Sequence, residues 1–312
     1  MIASRRIGDV SVSAVGLGCM PLSGESMLAH RDRAIATIHA AIDAGITLLD
    51  TADIYAPTWD SVGHNEALVA EAIHTYSGQE SLTDLLVTTK GGITRGDGEV
   101  WGRDSRTEAL VRACEDSLTE LGVDIIELYQ HHRHDPTLTY LQQVQALQHL
   151  KDRNLIRRIG LSNVTLPELD LAIAELGGPA AGGVVSVQNE LSPRYRADLD
   201  VLARCEKEGI AFLPWSPLGG ATHAKDVGSR YAAFAEVAAE WNATPQEIAL
   251  AWLLRLSPVM IPIPGATRPE TIDSIVRSLD IQLTDEQFAR LQATKPEQTS
   301  MYPDDLPRSP LR

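Results

Sequence analysis

Cysteine is scarce in this chain of 312 residues: Cys19, Cys114 and Cys205 are few, odd in number and far apart. That excludes a disulfide framework or a cysteine-rich zinc cluster as the organising device, and it fits a reducing compartment. Cations are in deficit. Lys and Arg total 27 against 42 Asp and Glu, a formal charge of −15, which argues against nucleic acid or an anionic membrane surface as a partner. No apolar run approaches the roughly 18 residues a membrane helix needs, and no apolar segment follows the arginines of Ser4-Arg5-Arg6, so no secretory signal is visible. Low-complexity segments, repeats of 20–50 residues and a dividing linker are also missing. The expectation is a cytoplasmic globular protein, long enough to bury about three quarters of its unfolded surface without staples.

What the chain does have is alternation. Short, continuously apolar runs at 13–18, 47–50, 85–90, 125–131, 157–161, 184–189, 210–215 and 260–263 read as strands. Longer amphipathic runs follow them at 31–43, 64–76, 105–121, 138–153, 167–176, 197–208, 231–241 with 245–256, and 269–279. Gly122, Gly177-Gly178 and Gly209 stand where helices stop, and Pro245 and Pro269 where helices start. Continuous rather than alternating apolar strands are expected when both faces of a parallel sheet are buried. Eight βα units at this length fit a closed (β/α)8 TIM barrel better than an open doubly wound sheet. Residues 5–13, with Gly8-Asp9 at the bend, read as an N-terminal β-hairpin plugging the barrel floor. The whole of 1–312 is then one barrel domain. The tail 295–312, with three prolines after Pro296 and no periodicity, is either a specificity loop over the pocket or an unstructured end.

In such a barrel chemistry sits at the C-terminal ends of the strands. The first strand ends in Gly16-Leu17-Gly18-Cys19-Met20, but Pro21 takes the third glycine position of a dinucleotide fingerprint, leaving a tight turn. Asp50 closes the second strand, with Tyr55 five residues on; either alone reads as a structural polar group. Lys90 closes the third, where a buried ammonium is costly unless paired, and Asp50 on the neighbouring strand is its natural partner. That pair is either a structural ion bridge or a cation placed to lower the pKa of Tyr55. The fourth strand runs into His131-His132-Arg133-His134-Asp135, which invites a metal reading; strand alternation sends His131 and His132 to opposite faces, no second histidine pair stands at another strand end, and no metal is expected. Ser162, Asn163 and Gln188 offer donors and acceptors suited to a carboxamide. Trp215 is either core or a platform for a flat ring. Gly265, Arg268 and the helix opening at Pro269 make a phosphate nest.

Taken together and in this order, Val15-Gly16-Leu17-Gly18, Asp50-Thr51-Ala52-Asp53-Ile54-Tyr55, Asn65-Glu66, Thr89-Lys90-Gly91-Gly92, Leu128-Tyr129-Gln130-His131-His132-Arg133, Gly160-Leu161-Ser162-Asn163, Gln188-Asn189-Glu190, Trp215-Ser216-Pro217-Leu218-Gly219 and Ile263-Pro264-Gly265-Ala266-Thr267-Arg268 resemble the aldo-keto reductases over essentially the whole chain. The resemblance implies a catalytic tetrad of Asp50, Tyr55, Lys90 and His132. It selects His132 because the family's histidine stands three residues after the tyrosine of its Leu-Tyr motif. It implies carboxamide binding by Ser162, Asn163 and Gln188, nicotinamide stacking on Trp215, a pyrophosphate lined by Ser216, Pro217, Leu218 and Gly265, and Arg268 on the 2′-phosphate or the adenosine ribose. The reaction implied is NAD(P)H-dependent reduction of an aldehyde or ketone, with Tyr55 as the acid. Oxidation of a sugar or polyol at the same site is the near alternative, and a cofactor-binding barrel resembling ion-channel β-subunits, acting by interaction, a distant one.

Many relatives carry a further Arg and a Glu-Asn pair where this chain has Thr271, Ser274 and Ile275. NADP(H) is still favoured because Arg268 remains, with NAD(H) use open. Met20, Ile54, Trp59 and Trp101 are candidate walls for a small-molecule carbonyl or alcohol substrate, Trp101 lying in a long polar loop over 91–103. Oligomeric state is not readable.

Overall fold

Strands β1 (Ser4–Ile7) and β2 (Val10–Ser13) pair antiparallel around Gly8, whose φ of 58° is the left-handed conformation that the bend requires. Then strands and helices alternate: β3 (Leu17–Gly18), α1 (Arg31–Asp43), β4 (Leu48–Asp50), α2 (His64–Thr75), β5 (Leu86–Gly91), a hairpin of β6 (Ile93–Gly96) and β7 (Val100–Arg103), α3 (Thr107–Leu121), β8 (Leu128–His131), α4 (Tyr140–Asp152), β9 (Ile159–Ser162), α5 (Leu166–Leu176), β10 (Val184–Gln188), α6 (Leu199–Glu208) and β11 (Ala211–Phe212). Two short helices, α7 (Gly220–His223) and α8 (Val227–Arg230), precede α9 (Ala232–Trp241), α10 (Pro245–Leu256), α11 (Pro269–Arg277) and α12 (Asp285–Gln292). This computed structural model describes residues 2–297, 299–304 and 306–312, and only the backbone of Gln79 and Glu80; Gln298 and Asp305 of the tail lie outside the described residues. Among the described residues no helix is long and apolar enough to cross a membrane.

Seven strands form one parallel sheet in the order β3-β4-β5-β8-β9-β10-β11. The eighth expected strand, 260–263, closes the ring through the bridge Phe212↔Met260 on one side and Gly18↔Gly265 on the other. It is irregular for a physical reason. Ile261 donates to the Phe212 carbonyl at 2.8 Å, and the carbonyls of Pro262 and Pro264 accept from Gly16 and Gly18 at 2.8 and 3.0 Å. Neither proline has an N–H to return to the first strand, so that seam carries half a ladder. For the same reason the expected strand over 13–18 contracts to Leu17–Gly18.

The barrel interior is layered by strand alternation. Its floor is Leu48, Leu86, Leu128, Val185, Ala211, Leu213, Ile261 and Ile263, packed against Ile7 and Val12 of the hairpin, so the hairpin does plug the floor. A larger apolar cluster lies outside the sheet, under the helices. Two residues above Leu48, Leu86 and Leu128 stand Asp50, Thr88 and Gln130; two above those stand Lys90 and His132. The interior turns from apolar to polar towards the mouth.

Two loop expectations change. The polar loop over 91–103 contains the hairpin β6–β7. The tail is docked rather than unstructured. Glu297 bridges to Tyr195, Ser309 Oγ donates to the Asp135 carbonyl at 2.8 Å, and the Pro310 and Leu311 carbonyls accept from Tyr140 and Leu141 at 2.7 and 3.1 Å, satisfying donors of the first turn of α4.

Candidate active site

The second polar layer assembles around the Lys90 ammonium, which is wholly buried. Its three N–H donors have three acceptors: Asp50 Oδ2 at 2.7 Å, the Thr51 carbonyl at 2.8 Å and Tyr55 Oη at 3.3 Å. The other Asp50 oxygen, Oδ1, accepts from Gln188 Nε2 at 2.8 Å and Gln130 Nε2 at 3.1 Å. Gln130 is itself held by Thr88 Oγ1 at 2.8 Å. It fits only because residue 160 is glycine, since a Cβ there would stand 2.7 Å from Gln130 Cγ and 2.4 Å from Ser186 Oγ. Tyr55 lies on the loop after β4, its N–H on the Ala52 carbonyl and its own carbonyl accepting from Asn65 of α2. Asn65 fixes that loop further by accepting from Thr51 Oγ1 at 2.6 Å and donating to the Cys19 carbonyl at 2.9 Å. His132 follows β8, and its ring meets the Tyr55 ring edge-on, centroids 5.8 Å apart at 82°. Asp50, Tyr55, Lys90 and His132 are thus brought together.

Electrostatics assigns their charge states. Burial pulls the Lys90 ammonium down, but Asp50 and Tyr55 outweigh it and the group stays above its ordinary value, charged. Burial pushes the Tyr55 phenol above 10, with Lys90 opposing, so the hydroxyl keeps its proton at neutral pH. Burial, followed by the nearby charges of Lys90, Arg133 and Arg103, drives His132 well below 6.5. The ring is therefore neutral, with Nδ1 buried and unpartnered. His131 points the other way: Nε2 meets Ser105 Oγ at 2.8 Å, and burial holds it down at about 4. Among the described residues no three His, Cys, Asp or Glu converge to hold a metal. Asp135 instead accepts from Ser105 N and Thr137 N.

Across the mouth, Asn163 joins several expected residues. Its Nδ2 donates to the His132 carbonyl and Ser162 Oγ, both at 3.0 Å, and its Oδ1 accepts from Trp215 Nε1 at 3.1 Å. Ser162 Oγ donates to the Gln188 carbonyl at 2.8 Å. Asn163 and Ser216 hold φ of 57° and 47°, a conformation non-glycine residues adopt at a cost and that clusters at ligand-binding loops. Pro217 and Leu218 continue the turn, closed by Gly219 N–H on the Ser216 carbonyl at 2.8 Å. Gly265 is exposed and leaves no room for a Cβ, which would stand 2.7 Å from Pro21 Cγ. Arg268 occupies the N-cap position of α11, its carbonyl accepting from Thr271 N at 3.2 Å, and its exposed side chain makes no hydrogen bond or ion pair with any described residue. A free guanidinium beside a helix N-terminus and a glycine ledge suits an anionic ligand, so the residues present fit a dinucleotide laid across this edge.

A sequence profile of the Aldo/keto reductase family matches residues 14–295. The chain belongs to the aldo/keto reductase family. It is 35% identical over 289 residues to an uncharacterized oxidoreductase of Schizosaccharomyces pombe, covering 92% of this chain and 88% of the relative. It is 31% identical over 296 residues to pyridoxine 4-dehydrogenase of Escherichia coli, covering 91% and 96%. Among solved structures, an aldo/keto reductase from Klebsiella pneumoniae in complex with NADP and acetate superimposes with a TM-score of 0.78 at 25% identity, covering 98% of this chain and all of that one.

As an aldo/keto reductase the chain has its own rim. Ser274 donates to Glu247 Oε1 at 2.8 Å and Ile275 is core, so both residues at these departures from the family pattern serve helix packing; Thr271 is half-buried. Ile54 is buried beside Tyr55. Trp59 (38% exposed) and Trp101 (53%) sit on neighbouring segments, joined by Glu99, which accepts from Trp59 N at 2.9 Å, and by Arg95, which lies over the Trp101 ring at 4.9 Å. Met20, 44% exposed, lies on a turn tied to α2 by the hydrogen bond from Asn65 to Ser23. Three features escaped sequence reasoning. Gln130 holding Asp50 was open to it, since Gln130 keeps strand phase with Leu128 and His132. Tyr302 of the tail, its ring 5.7 Å from that of Trp215, and Arg103 with Arg133 facing Asp304 were not.

Proposed function

We propose that this chain reduces an aldehyde or ketone to the alcohol with NADP(H), Tyr55 giving the proton and His132 holding the carbonyl. The observation that carries the reading is the buried ammonium of Lys90 with its third donor on Tyr55 Oη at 3.3 Å and its first on Asp50. When bound, the nicotinamide supplies a hydride. Everything else is work for the chain. As charge develops on the carbonyl oxygen, the Tyr55 phenol, whose free pKa is about 10, must release its proton. Lys90 stabilises the phenolate left behind, and its charge is retained because Asp50 is held by two amide donors on its far oxygen. A neutral His132 donates one N–H to the carbonyl oxygen without adding a competing acid.

Ser162, Asn163 and Gln188 fit the carboxamide edge and Trp215 the ring. Ser216, Pro217, Leu218 and Gly265 fit the pyrophosphate, and Arg268 the terminal phosphate. The free Arg268 favours NADP(H) over NAD(H). Met20, Ile54, Trp59 and Trp101 are the substrate walls of this reading. The same residues oxidise an alcohol in reverse, the direction named for the Escherichia coli relative. The test is turnover of 4-nitrobenzaldehyde with NADPH by the parent and by Tyr55→Phe. The variant is expected to lose at least about a hundredfold in kcat while still binding NADPH; parent-like turnover in Tyr55→Phe removes Tyr55 as the acid.

A further inference from the structure

Arg103 at the end of β7 and Arg133 just after His132 are nearly buried and point at one carboxylate, Asp304 of the tail. The fit is poor. Arg133 Nη1 stands 3.4 Å and Arg103 Nη2 3.9 Å from Asp304, and Asp304 Oδ2 and Arg103 Nε are buried without a hydrogen bond. His134 does not help. Its Nε2 faces the Pro307 carbonyl at 3.1 Å, and its Nδ1 stands between Arg308 Nη1 at 3.1 Å and Asp304 Oδ2 at 3.3 Å without a hydrogen bond to the carboxylate. Guanidinium and carboxylate ordinarily meet as a fork with two N–H···O bonds of about 2.7–2.9 Å. Here two guanidiniums share one carboxylate that makes no hydrogen bond to either. Their other donors are on backbone carbonyls: Arg133 Nη2 on Tyr302 at 2.9 Å and Arg103 Nη1 on Gly102 at 3.0 Å.

This loose pairing borders the reaction site. Arg133 and Asp304 line a cavity of about 110 Å3 together with Asn163, Trp215 and Tyr302. Both arginines act on His132 electrostatically. The acids on the cavity's other wall have donors of their own: Glu190 takes Ser300 Oγ and Met301 N, and Asp198 takes Asn189 Nδ2.

We propose that Arg103 and Arg133 are an anion subsite for the substrate, taking the carboxylate or phosphate of a negatively charged aldehyde or ketone, with Asp304 as the stand-in that the substrate displaces. The inference rests on the reductase reading. It explains why a chain with a formal charge of −15 keeps two nearly buried arginines at its mouth with, among the described residues, one ill-fitting carboxylate between them.

The experiment has two arms. In the first, kcat/KM with NADPH is compared for 4-carboxybenzaldehyde and benzaldehyde. The parent is expected to prefer the carboxylate, Arg103→Gln to lower the preference at least tenfold, and Asp304→Asn to raise it severalfold. In the second, benzoate binding to the NADP+-loaded protein is followed by calorimetry: saturable in the parent, tenfold weaker in Arg103→Gln and tighter in Asp304→Asn. A preference that neither variant moves, or benzoate binding no tighter than that of benzyl alcohol, overturns the subsite. Should Arg103→Gln fail to fold, Asp304→Asn decides alone, and no gain there overturns it. Failure of both aldehydes to turn over, with benzoate binding still following the substitutions, sinks the reductase reading and leaves the subsite standing.

Discussion

The mouth of this barrel has two halves built on different terms. Over β4, β5, β8 and β10 the charged groups are fully answered: Lys90 has an acceptor for each N–H, and both Asp50 oxygens are taken by Lys90, Gln130 and Gln188. Over the closing segment and the tail the cations wait. Among the described residues the Arg268 side chain has no partner, and Arg103 and Arg133 share one carboxylate at 3.4–3.9 Å. On the function proposed above, the difference separates two tasks. Charge that must be in place before a reaction is preorganised by the chain itself. Charge meant for a ligand is left incompletely answered, because a group already paired gains little from binding.

The largest effect that breaks this contrast comes from Lys90→Met. It leaves Asp50 buried with no counter-charge, and removing one partner of a buried ion pair costs about 3–5 kcal/mol. Urea unfolding should show that loss together with abolished turnover. The double variant Asp50→Asn, Lys90→Met should recover most of the stability and none of the activity. Recovery of activity would mean that the ion pair serves only structure.

A somewhat smaller effect belongs to Glu66, buried behind the tetrad and accepting from Thr89 Oγ1. Burial raises its carboxyl from 4.5 to about 7. Between those values the folded protein holds a proton that the unfolded chain has lost, so this group subtracts increasing stability as pH rises from 4.5 to 7 and a constant amount above. At about 1.4 kcal/mol per unit the loss is about 3 kcal/mol. Glu66→Gln should therefore unfold at higher urea than the parent at pH 8, with the gap closing towards pH 4.5. Equal gaps at both pH values would show that Glu66 does not titrate this way.

Much of this was legible beforehand, and the exceptions share a cause. The helix bounds 31–43 and 245–256 match because their stop and start signals are local: α10 has Pro245 at its first position and a capping box from Thr244 to Glu247. Asp50 and Lys90 were readable as a pair because both close neighbouring strands; strand phase, a local property, allows only one of His131 and His132 to face inward, and the family resemblance chose His132 and added Tyr55. The hairpin β6–β7 carries Asp97-Gly98 at its turn, a strong hairpin signal. Its strands are largely exposed, so no alternation towards a core accompanies it. The tail's docking rests on pairs such as Arg133 with Tyr302 and Gln143 with Ser309, more than 160 residues apart in sequence. Nothing in 295–312 advertises them.

The smallest effect tests the ligand-facing half directly. The Arg268 side chain makes no hydrogen bond or ion pair with any described residue, so Arg268→Ala should change stability by less than about 0.5 kcal/mol. A charge-assisted contact to phosphate is worth about 1.5–3 kcal/mol, so KM for NADPH should rise roughly tenfold or more while KM for NADH stays put. Salt separates the local contact from the field of the whole chain. The −15 formal charge repels the coenzyme at long range, and salt screens that repulsion over a Debye length of about 8 Å at 0.15 M. In the parent, salt also weakens the Arg268 contact, so the two effects oppose each other. With Arg268 removed the repulsion loses its local counterweight, and NADPH binding should tighten as salt rises from 0.01 to 0.15 M. A variant whose affinity instead falls as salt rises would place the phosphate against a different cation.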